Sequence, residues 1–176
     1  MIDKIKEMIK PSTEESEEKK IILIDPSSVS GQSEPELRVV GLFADVSEEK
    51  IAEIIHNVLY FNELNKQSDA ESQKPITFYL STYGGNADDM FAMYDMMRLV
   101  KENTEIHTFG LGKVMSAGVL LLAAGTKGKR KIGKNCRVMI HAVMGGNHGS
   151  LHNMMNEMEA IEELQDMYCD ALIAET

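Results

Sequence analysis

Residues 106–125 read IHTFGLGKVMSAGVLLLAAG, and this stretch decides the fold class. Its first part, 106–111, predicts a strand, and the glycine-containing segment 112–116 predicts a turn. The apolar run 117–124 then predicts a buried helix that ends with Gly125 as its C-cap. A strand that leads through a short turn into a helix is the repeating unit of α/β proteins.

The sequence on both sides continues this alternation of strands and helices. Further strands are predicted over 38–43, 76–80 and 137–141. A polar loop is predicted over 65–74, and Ser47 is predicted to be the N-cap of the helix that precedes this loop. Apolar residues at helical spacing indicate three further helices. The first has Ile51, Ile54, Ile55, Val58 and Leu59, and the second has Met90, Met93, Tyr94, Met97 and Val100. The third has Leu151, Met154, Met155, Met158, Ile161, Leu164, Tyr168 and Leu172. The third begins at about Ser150 and runs to the end. The pattern predicts an α/β architecture.

Composition divides the chain into three segments. Residues 1–36 are charged, and we expect them to be mobile, with a short amphipathic helix or disorder over 1–10 and a short strand over 21–24. Residues 37–146 hold the alternating strands and helices, and 147–176 hold the long helix.

Overall composition narrows the classes of partner. The chain has 176 residues, of which 43% are apolar, and its formal net charge is −10. Such a charge disfavours nucleic acid and anionic lipid as partners, so the basic run 127–134 is interpreted as a solvated or interface segment. No apolar run approaches the roughly 20 residues that a membrane helix needs, and the start of the chain lacks a signal-peptide core. The two cysteines form no close-spaced motif, so we expect a cytoplasmic protein.

Three features could carry chemistry. Ser116 lies at the junction of the predicted turn and helix, His141 ends a predicted strand, and the pair Gly84-Gly85 follows another strand. A serine hydroxyl needs a neighbouring base to act as a nucleophile, and glycine lets backbone N–H groups approach a ligand closely. Taken singly, each has an ordinary structural interpretation, as a helix cap, a hydrogen-bonded histidine and a tight turn. The segment around Ser116 lacks the first glycine of the G-x-S-x-G motif, which disfavours an α/β-hydrolase.

Taken together, the motifs resemble those of the Clp-type serine peptidases, the ClpP family. The matching segments read LSTYGG at 80–85, MYDMM at 93–97, MSAGVLLLAAG at 115–125, KGKR at 127–130 and NCRVMIHAVMGG at 135–146. The family shows SPGG, YD, ASMG with LLAAG, KGKR, and NSRVMIH with GG, in the same order. The resemblance runs from about residue 38 to the end of the chain. It implies a ClpP/crotonase-like fold, a repeated ββα spiral whose head is 37–146 and whose long handle helix begins the segment 147–176.

The resemblance implies a serine endopeptidase that acts on unfolded polypeptides. Ser116 matches the nucleophile and His141 the general base, 25 positions further on. Gly85 and Ala117 match the residues whose backbone N–H groups form the oxyanion hole. Gly145 and Gly146 match the glycine-rich strand that pairs with an extended substrate. The family needs no cofactor, forms homo-oligomeric heptameric rings stacked through the handle helix, and works with an ATP-driven AAA+ unfoldase.

Several positions depart from the family pattern. Thr82 and Tyr83 replace Ser-Pro, Lys113 and Met115 replace small or neutral residues, and the stretch before Ser116 is two residues longer. The family's third catalytic residue is an Asp well beyond the handle helix, and this chain stops at Thr176, within that helix. Asp166 and Asp170 also lie on the helix and are not assigned that role. Three explanations of the missing Asp remain open: the chain is a fragment, it is a degenerate subunit, or it is naturally short and another group orients the histidine. We expect low or no peptidase activity from the polypeptide alone.

Other functions remain to be distinguished from this one. A catalytically impaired structural or regulatory subunit of such a ring is the main alternative. A phage capsid-maturation peptidase shares the glycine-pair and serine arrangement, and an acyl-CoA enzyme of the crotonase type shares the fold without needing Ser116 paired with His141. His148 and His152 are four positions apart, but Gly149 interrupts the H-E-x-x-H pattern, so no metal site is predicted.

Overall fold

Five parallel strands form the sheet that positions every other element. The strands are β1 (Val39–Leu42), β2 (Ile76–Thr82), β3 (Ile106–Met115), β4 (Arg130–Ile132) and β5 (Arg137–Met139). Their order is β1-β2-β3-β4, and β5 also pairs with β3. This computed structural model describes residues 37–146 and 148–176; the expectations for residues 1–36 lie outside the described residues.

Among the described residues, four α-helices connect or cover these strands. They are α1 (Glu48–Lys66), α2 (Ala87–Val100), α3 (Ala117–Ala123) and α4 (Leu151–Glu175), with a short 3₁₀ turn at Ala70–Ser72. The N-cap prediction at Ser47 holds for its position, although its side chain makes no capping hydrogen bond. The predicted α/β class is confirmed. Within the described part of the chain, no helix is both long enough and apolar enough to cross a membrane.

Strand β3 is longer than the sequence indicates, and the turn predicted over 112–116 is wrong. Gly112 has a φ of +61°, so the strand bends there and continues. The register with β2 shifts at this point and resumes with Thr82 opposite Val114. The first half of β3 pairs with β4 and its last three residues pair with β5, which keeps it extended. Ser116 therefore follows directly on a strand.

One strand beside β3 was not predicted, and one expectation about the helix after β3 is wrong. Strand β4 was not predicted, because its basic residues resemble a solvated segment. Gly125 is not the C-cap of α3, since that position is taken by Ala124 in a right-handed helical conformation. Glycine is required at position 125 because the backbone packs closely against Thr108, and a Cβ there would lie 2.4 Å from Thr108 Oγ1.

The core lies between the sheet and helices α1, α2 and α3. All five predicted apolar positions of α2 are buried. In α1 the predicted face is buried at Ile51, Ile54 and Val58, whereas Leu59 is exposed and does not belong to the core. Among the described residues of helix α4, Tyr168 is buried in the apolar core, and Ala171 and Leu172 pack against it. The helix's predicted apolar positions nearer the N-terminal end are largely exposed, namely Leu151, Met154, Met155 and Met158.

A buried polar network links the two ends of the predicted loop 65–74 to neighbouring parts of the chain. Asn65 belongs to α1, and its Oδ1 accepts hydrogen bonds from the Arg38 guanidinium and from Lys74 N. Its Nδ2 donates to Lys74 O and to Thr104 Oγ1, both at 2.9 Å. Thr104 Oγ1 donates in turn to Asn62 Oδ1. Buried polar groups of this kind are stable only when their hydrogen bonds are made, so the network fixes the end of α1 against the start of β2.

The C-terminal end of α4 is held by ion pairs. The Glu175 carboxylate lies 3.1 Å from Lys101 Nζ and 3.2 Å from Arg130 Nη2. Arg130 Nε also donates to Gly125 O at 2.7 Å, which fixes the guanidinium. Glu175 is 7% exposed, so its charge is screened little by water. These contacts join the last turn of the helix to the loop after α2 and to β4.

Glu175→Gln is expected to lower the free energy of unfolding by about 1–3 kcal/mol, because two partly buried cations lose a charged partner. Urea unfolding followed by circular dichroism measures the change. The matched control is Glu163→Gln on the exposed side of the same helix, which should shift stability by less than about 0.5 kcal/mol. Equal shifts for the two variants would contradict an anchoring role for Glu175.

Candidate active site

Ser116 occupies a strained turn between β3 and α3. Its φ is +52° and its ψ is −126°, and among the described residues it is the only non-glycine residue with a positive φ. Such a conformation costs about 1–3 kcal/mol and persists only where the surroundings impose it. Here Ser116 N donates to Met139 O at 2.9 Å, and Ser116 O accepts from Val119 N at 2.9 Å. The strain is comparable to that of a nucleophile elbow, although the usual first glycine is missing.

The turn Gly84-Gly85 lies directly against the serine. A Cβ at Gly84 would fall 2.6 Å from Ser116 Cβ and 3.1 Å from Ala117 N, so only glycine fits. Its φ of +103° is also one that glycine tolerates best. The turn is held from the other side by Val46, whose N donates to Gly84 O at 2.7 Å and whose O accepts from Asn86 N at 3.0 Å. The glycine pair and the serine thus form one packed unit.

Two backbone amides at this unit have no acceptor among the described residues. Within residues 37–146 and 148–176, neither Gly85 N nor Ala117 N donates a backbone hydrogen bond. Both residues line the same cleft as Ser116. Unused N–H groups beside a nucleophile can stabilise the negative charge that develops on an attacked carbonyl oxygen. These are the two residues that the sequence predicted for an oxyanion hole.

His141 lies two residues beyond β5, and its ring contacts the neighbouring backbone. Its Nδ1 is 2.6 Å from Ala142 O. A carbonyl oxygen can only accept, so in the neutral ring Nδ1 carries the proton and Nε2 keeps its lone pair. Ser116 Oγ makes no hydrogen bond within the described chain. Catalytic hydrogen bonds are often long in a free enzyme and tighten only on substrate binding.

One cleft brings most of the predicted site residues together. Its volume is about 430 Å³, and five of the six predicted residues line it: Ser116, Ala117, Gly85, His141 and Gly145. Gly146 is not among the lining residues. The segment that carries these glycines is exposed and forms no strand with the sheet. The acidic residues Asp88 and Glu157 also line the cleft, and neither belongs to a motif that indicated the site.

Helix α4 supplies two polar contacts to the backbone of the site. Tyr168 OH donates to Ser116 O at 3.2 Å, and Val143 N donates to Gln165 Oε1 at 2.6 Å. Burial raises the pKa of the Tyr168 phenol, which keeps the hydroxyl protonated as a donor. Tyr168 belongs to the apolar positions that predicted this helix, whereas no motif indicated Gln165. The sequence feature that could have indicated Gln165 is its position about one turn before Tyr168, on a partly buried face of the helix.

Two departures from the family pattern contact each other at the mouth of the cleft. Lys113 Nζ lies 4.5 Å from the centre of the Tyr83 ring, a cation–π contact. Such a contact contributes about 0.5–1 kcal/mol at an exposed site. Tyr83 lines the cleft and is 63% exposed, so the pair fixes an aromatic side chain where the family has proline.

Among the described residues, no three His, Cys, Asp or Glu side chains lie close enough together to hold a metal ion.

Comparison with known proteins identifies the family. The model of the Clp protease family matches residues 35–176, which is most of the chain. The ATP-dependent Clp protease proteolytic subunit 1 of Leifsonia xyli subsp. xyli (strain CTCB07) is 34% identical over 124 residues, which are 70% of this chain and 59% of that protein. The chain therefore aligns with less than two thirds of that relative's length. With the family match, these findings show that the chain belongs to the Clp protease family.

Proposed function

We propose that this chain is a proteolytic subunit with serine endopeptidase activity, in which Ser116 is the nucleophile and His141 the general base. The observation that carries the proposal is the hydrogen bond from Ser116 N to Met139 O. It joins the strained serine turn to the strand that ends two residues before His141, and both residues line one cleft. The two unused amides of Gly85 and Ala117 line the same cleft.

In the reaction, His141 Nε2 removes the Ser116 hydroxyl proton while Oγ attacks the peptide carbonyl carbon. The resulting oxyanion accepts hydrogen bonds from Gly85 N and Ala117 N. His141 then gives its proton to the leaving amine, and the acyl-enzyme forms. Water, deprotonated by the same histidine, releases the second product and restores the serine.

Ala142 O performs part of the task of an orienting aspartate. Loss of the aspartate in a serine protease costs about 10⁴ in turnover, chiefly because the histidine adopts the wrong tautomer. The 2.6 Å contact between His141 Nδ1 and Ala142 O favours the productive tautomer. A neutral carbonyl stabilises the imidazolium less than a carboxylate does, so we expect slow acylation rather than none. The contact supports the explanation in which another group orients His141.

We also propose an oligomeric ring that receives unfolded polypeptides from an ATP-driven unfoldase in the cytoplasm. The name of the Leifsonia relative, an ATP-dependent proteolytic subunit, supports this assignment. Four large apolar side chains on the first half of α4 are 45–75% exposed, which is typical of a helix that contacts another subunit. An extended substrate would pair with the exposed backbone of the segment after His141, which includes Gly145 and Gly146.

A fluorophosphonate probe tests the proposed activity. The assembled protein is incubated with the probe, digested and mapped by mass spectrometry. We expect an adduct on Ser116 and no adduct after heat unfolding, since the reaction needs the folded dyad. Absence of the adduct from the assembled particle would support the alternative, a non-catalytic structural or regulatory subunit.

A further inference from the structure

Gln165 of α4 is connected to His141 through a single peptide group. Val143 N donates to Gln165 Oε1 at 2.6 Å, and Ala142 O accepts from His141 Nδ1 at 2.6 Å. The Ala142 carbonyl and the Val143 amide belong to the same planar peptide unit, so their directions are coupled. We propose that Gln165 is a positioning residue, which orients the Ala142–Val143 peptide so that its carbonyl holds His141 as the Nδ1–H tautomer.

The environment of Gln165 supports this assignment. Its Nε2 lies 3.1 Å from Cys169 Sγ, one turn further along α4, so the amide has a fixed orientation with Oε1 towards Val143. The Val143 bond is partly buried and spans 22 residues of sequence, which makes it a tertiary contact rather than a local turn. Hydrogen bonds in series polarise one another, so the bond to Gln165 also strengthens the acceptor that faces His141.

The other half of the dyad is fixed by the same helix. Tyr168 lies three residues after Gln165 and donates to Ser116 O at 3.2 Å. Helix α4 thereby contacts the backbone of the nucleophile and the backbone beside the base. The two contacts are separable, because only the contact with Gln165 leads to the imidazole. Tyr168→Phe should therefore leave the His141 tautomer unchanged.

The inference rests on the proposed function, but its test does not need activity. Solid-state ¹⁵N spectra of histidine-labelled protein distinguish Nδ1–H from Nε2–H rings, and a His141→Asn variant identifies the His141 signals among five histidines. We expect Nδ1–H in the wild type and Nε2–H or a mixture in Gln165→Ala and in the similarly sized Gln165→Met. Gln165→Glu keeps an acceptor for Val143 N and should restore Nδ1–H. An unchanged tautomer in both Gln165→Ala and Gln165→Met would overturn the inference.

Reactivity provides the second measurement. Gln165→Ala is expected to slow fluorophosphonate labelling of Ser116 by about 10- to 100-fold, less than the ~10⁴ that loss of an orienting aspartate costs. Gln165→Glu should return the rate to within about threefold, and the exposed control Asp166→Ala should match the wild type. If the wild type does not label, the proposed function fails, and the tautomer measurement still decides the role of Gln165. Slow labelling of Gln165→Ala with no rescue by Gln165→Glu would count against the inference.

Discussion

Ser116→Ala is expected to reduce fluorophosphonate labelling and peptide hydrolysis to background. Removing the nucleophile of a serine protease eliminates the whole contribution of the catalytic group, about 10⁶ in turnover where the triad is complete. With a neutral carbonyl orienting His141, we expect a smaller loss, about 10² or more, because the starting activity is lower. Labelled fraction against time, measured by intact-protein mass spectrometry, gives the ratio of rates. Ser81→Ala, a serine outside the cleft lining, is the control.

A second variant separates the role of the side chain from that of the backbone. Ser116→Gly also removes the hydroxyl and should be equally unreactive. The φ of +52° at this position strains any residue with a Cβ, and glycine relieves it. Ser116→Gly should therefore be about 1 kcal/mol more stable than Ser116→Ala in urea unfolding. Residual labelling of either variant at the wild-type rate would exclude Ser116 as the nucleophile.

Gly84→Ala is expected to disrupt the site and the fold together. A Cβ at this buried position would lie 2.6 Å from Ser116 Cβ and 2.9 Å from Met115 O. Backbone strain and overpacking each cost about 1–3 kcal/mol, so the free energy of unfolding should fall by about 2–6 kcal/mol. Movement of Ser116 or of the Ala117 amide should lower labelling of the remaining folded protein by about 10²–10³-fold. Urea unfolding and labelling at the same temperature measure both effects.

Gly128→Ala is the matched control for that experiment. Gly128 has a φ of +82°, and a Cβ there would meet nothing within 4 Å. This variant therefore carries the cost of a positive φ without a collision, about 1–2 kcal/mol, and should label at the wild-type rate. If Gly84→Ala and Gly128→Ala lose the same free energy of unfolding and label at the same rate, close packing against Ser116 is not the reason for glycine at position 84.

Much of the fold was predictable because its helices repeat apolar residues at regular spacing. The buried face of α2 follows directly from that spacing. The end of β3 was not predictable in this way, because its extension depends on pairing with β5, a strand 22 residues away. The same limitation applies to β4, whose first residue, Arg130, forms a tertiary ion pair with Glu175. Local sequence cannot report a partner that is distant along the chain.

In the candidate site, too, residues in continuous motifs were predictable and contacts from distant parts of the chain were not. The order of motifs indicated Ser116, His141 and the glycine pair, because each belongs to a short continuous pattern. Neither the Ala142 carbonyl nor Gln165 could be found that way, since a backbone acceptor carries no residue identity and Gln165 reaches the site from a separate helix. The sequence also suggested that His141 lacks an orienting partner; the structure places a backbone partner beside its ring.

The short strand β5 makes the competence of the site dependent on a weak element. Its three residues are exposed, and among the described residues the strand pairs with the end of β3. Helix α4 contacts the segment that follows β5 at Val143. Local opening of such a segment costs much less free energy than global unfolding. Opening β5 would break the bond from Ser116 N to Met139 O and carry His141 away while the core stays intact. In the proposed peptidase, the reactivity of Ser116 would therefore be lost and regained reversibly while the rest of the chain stays folded.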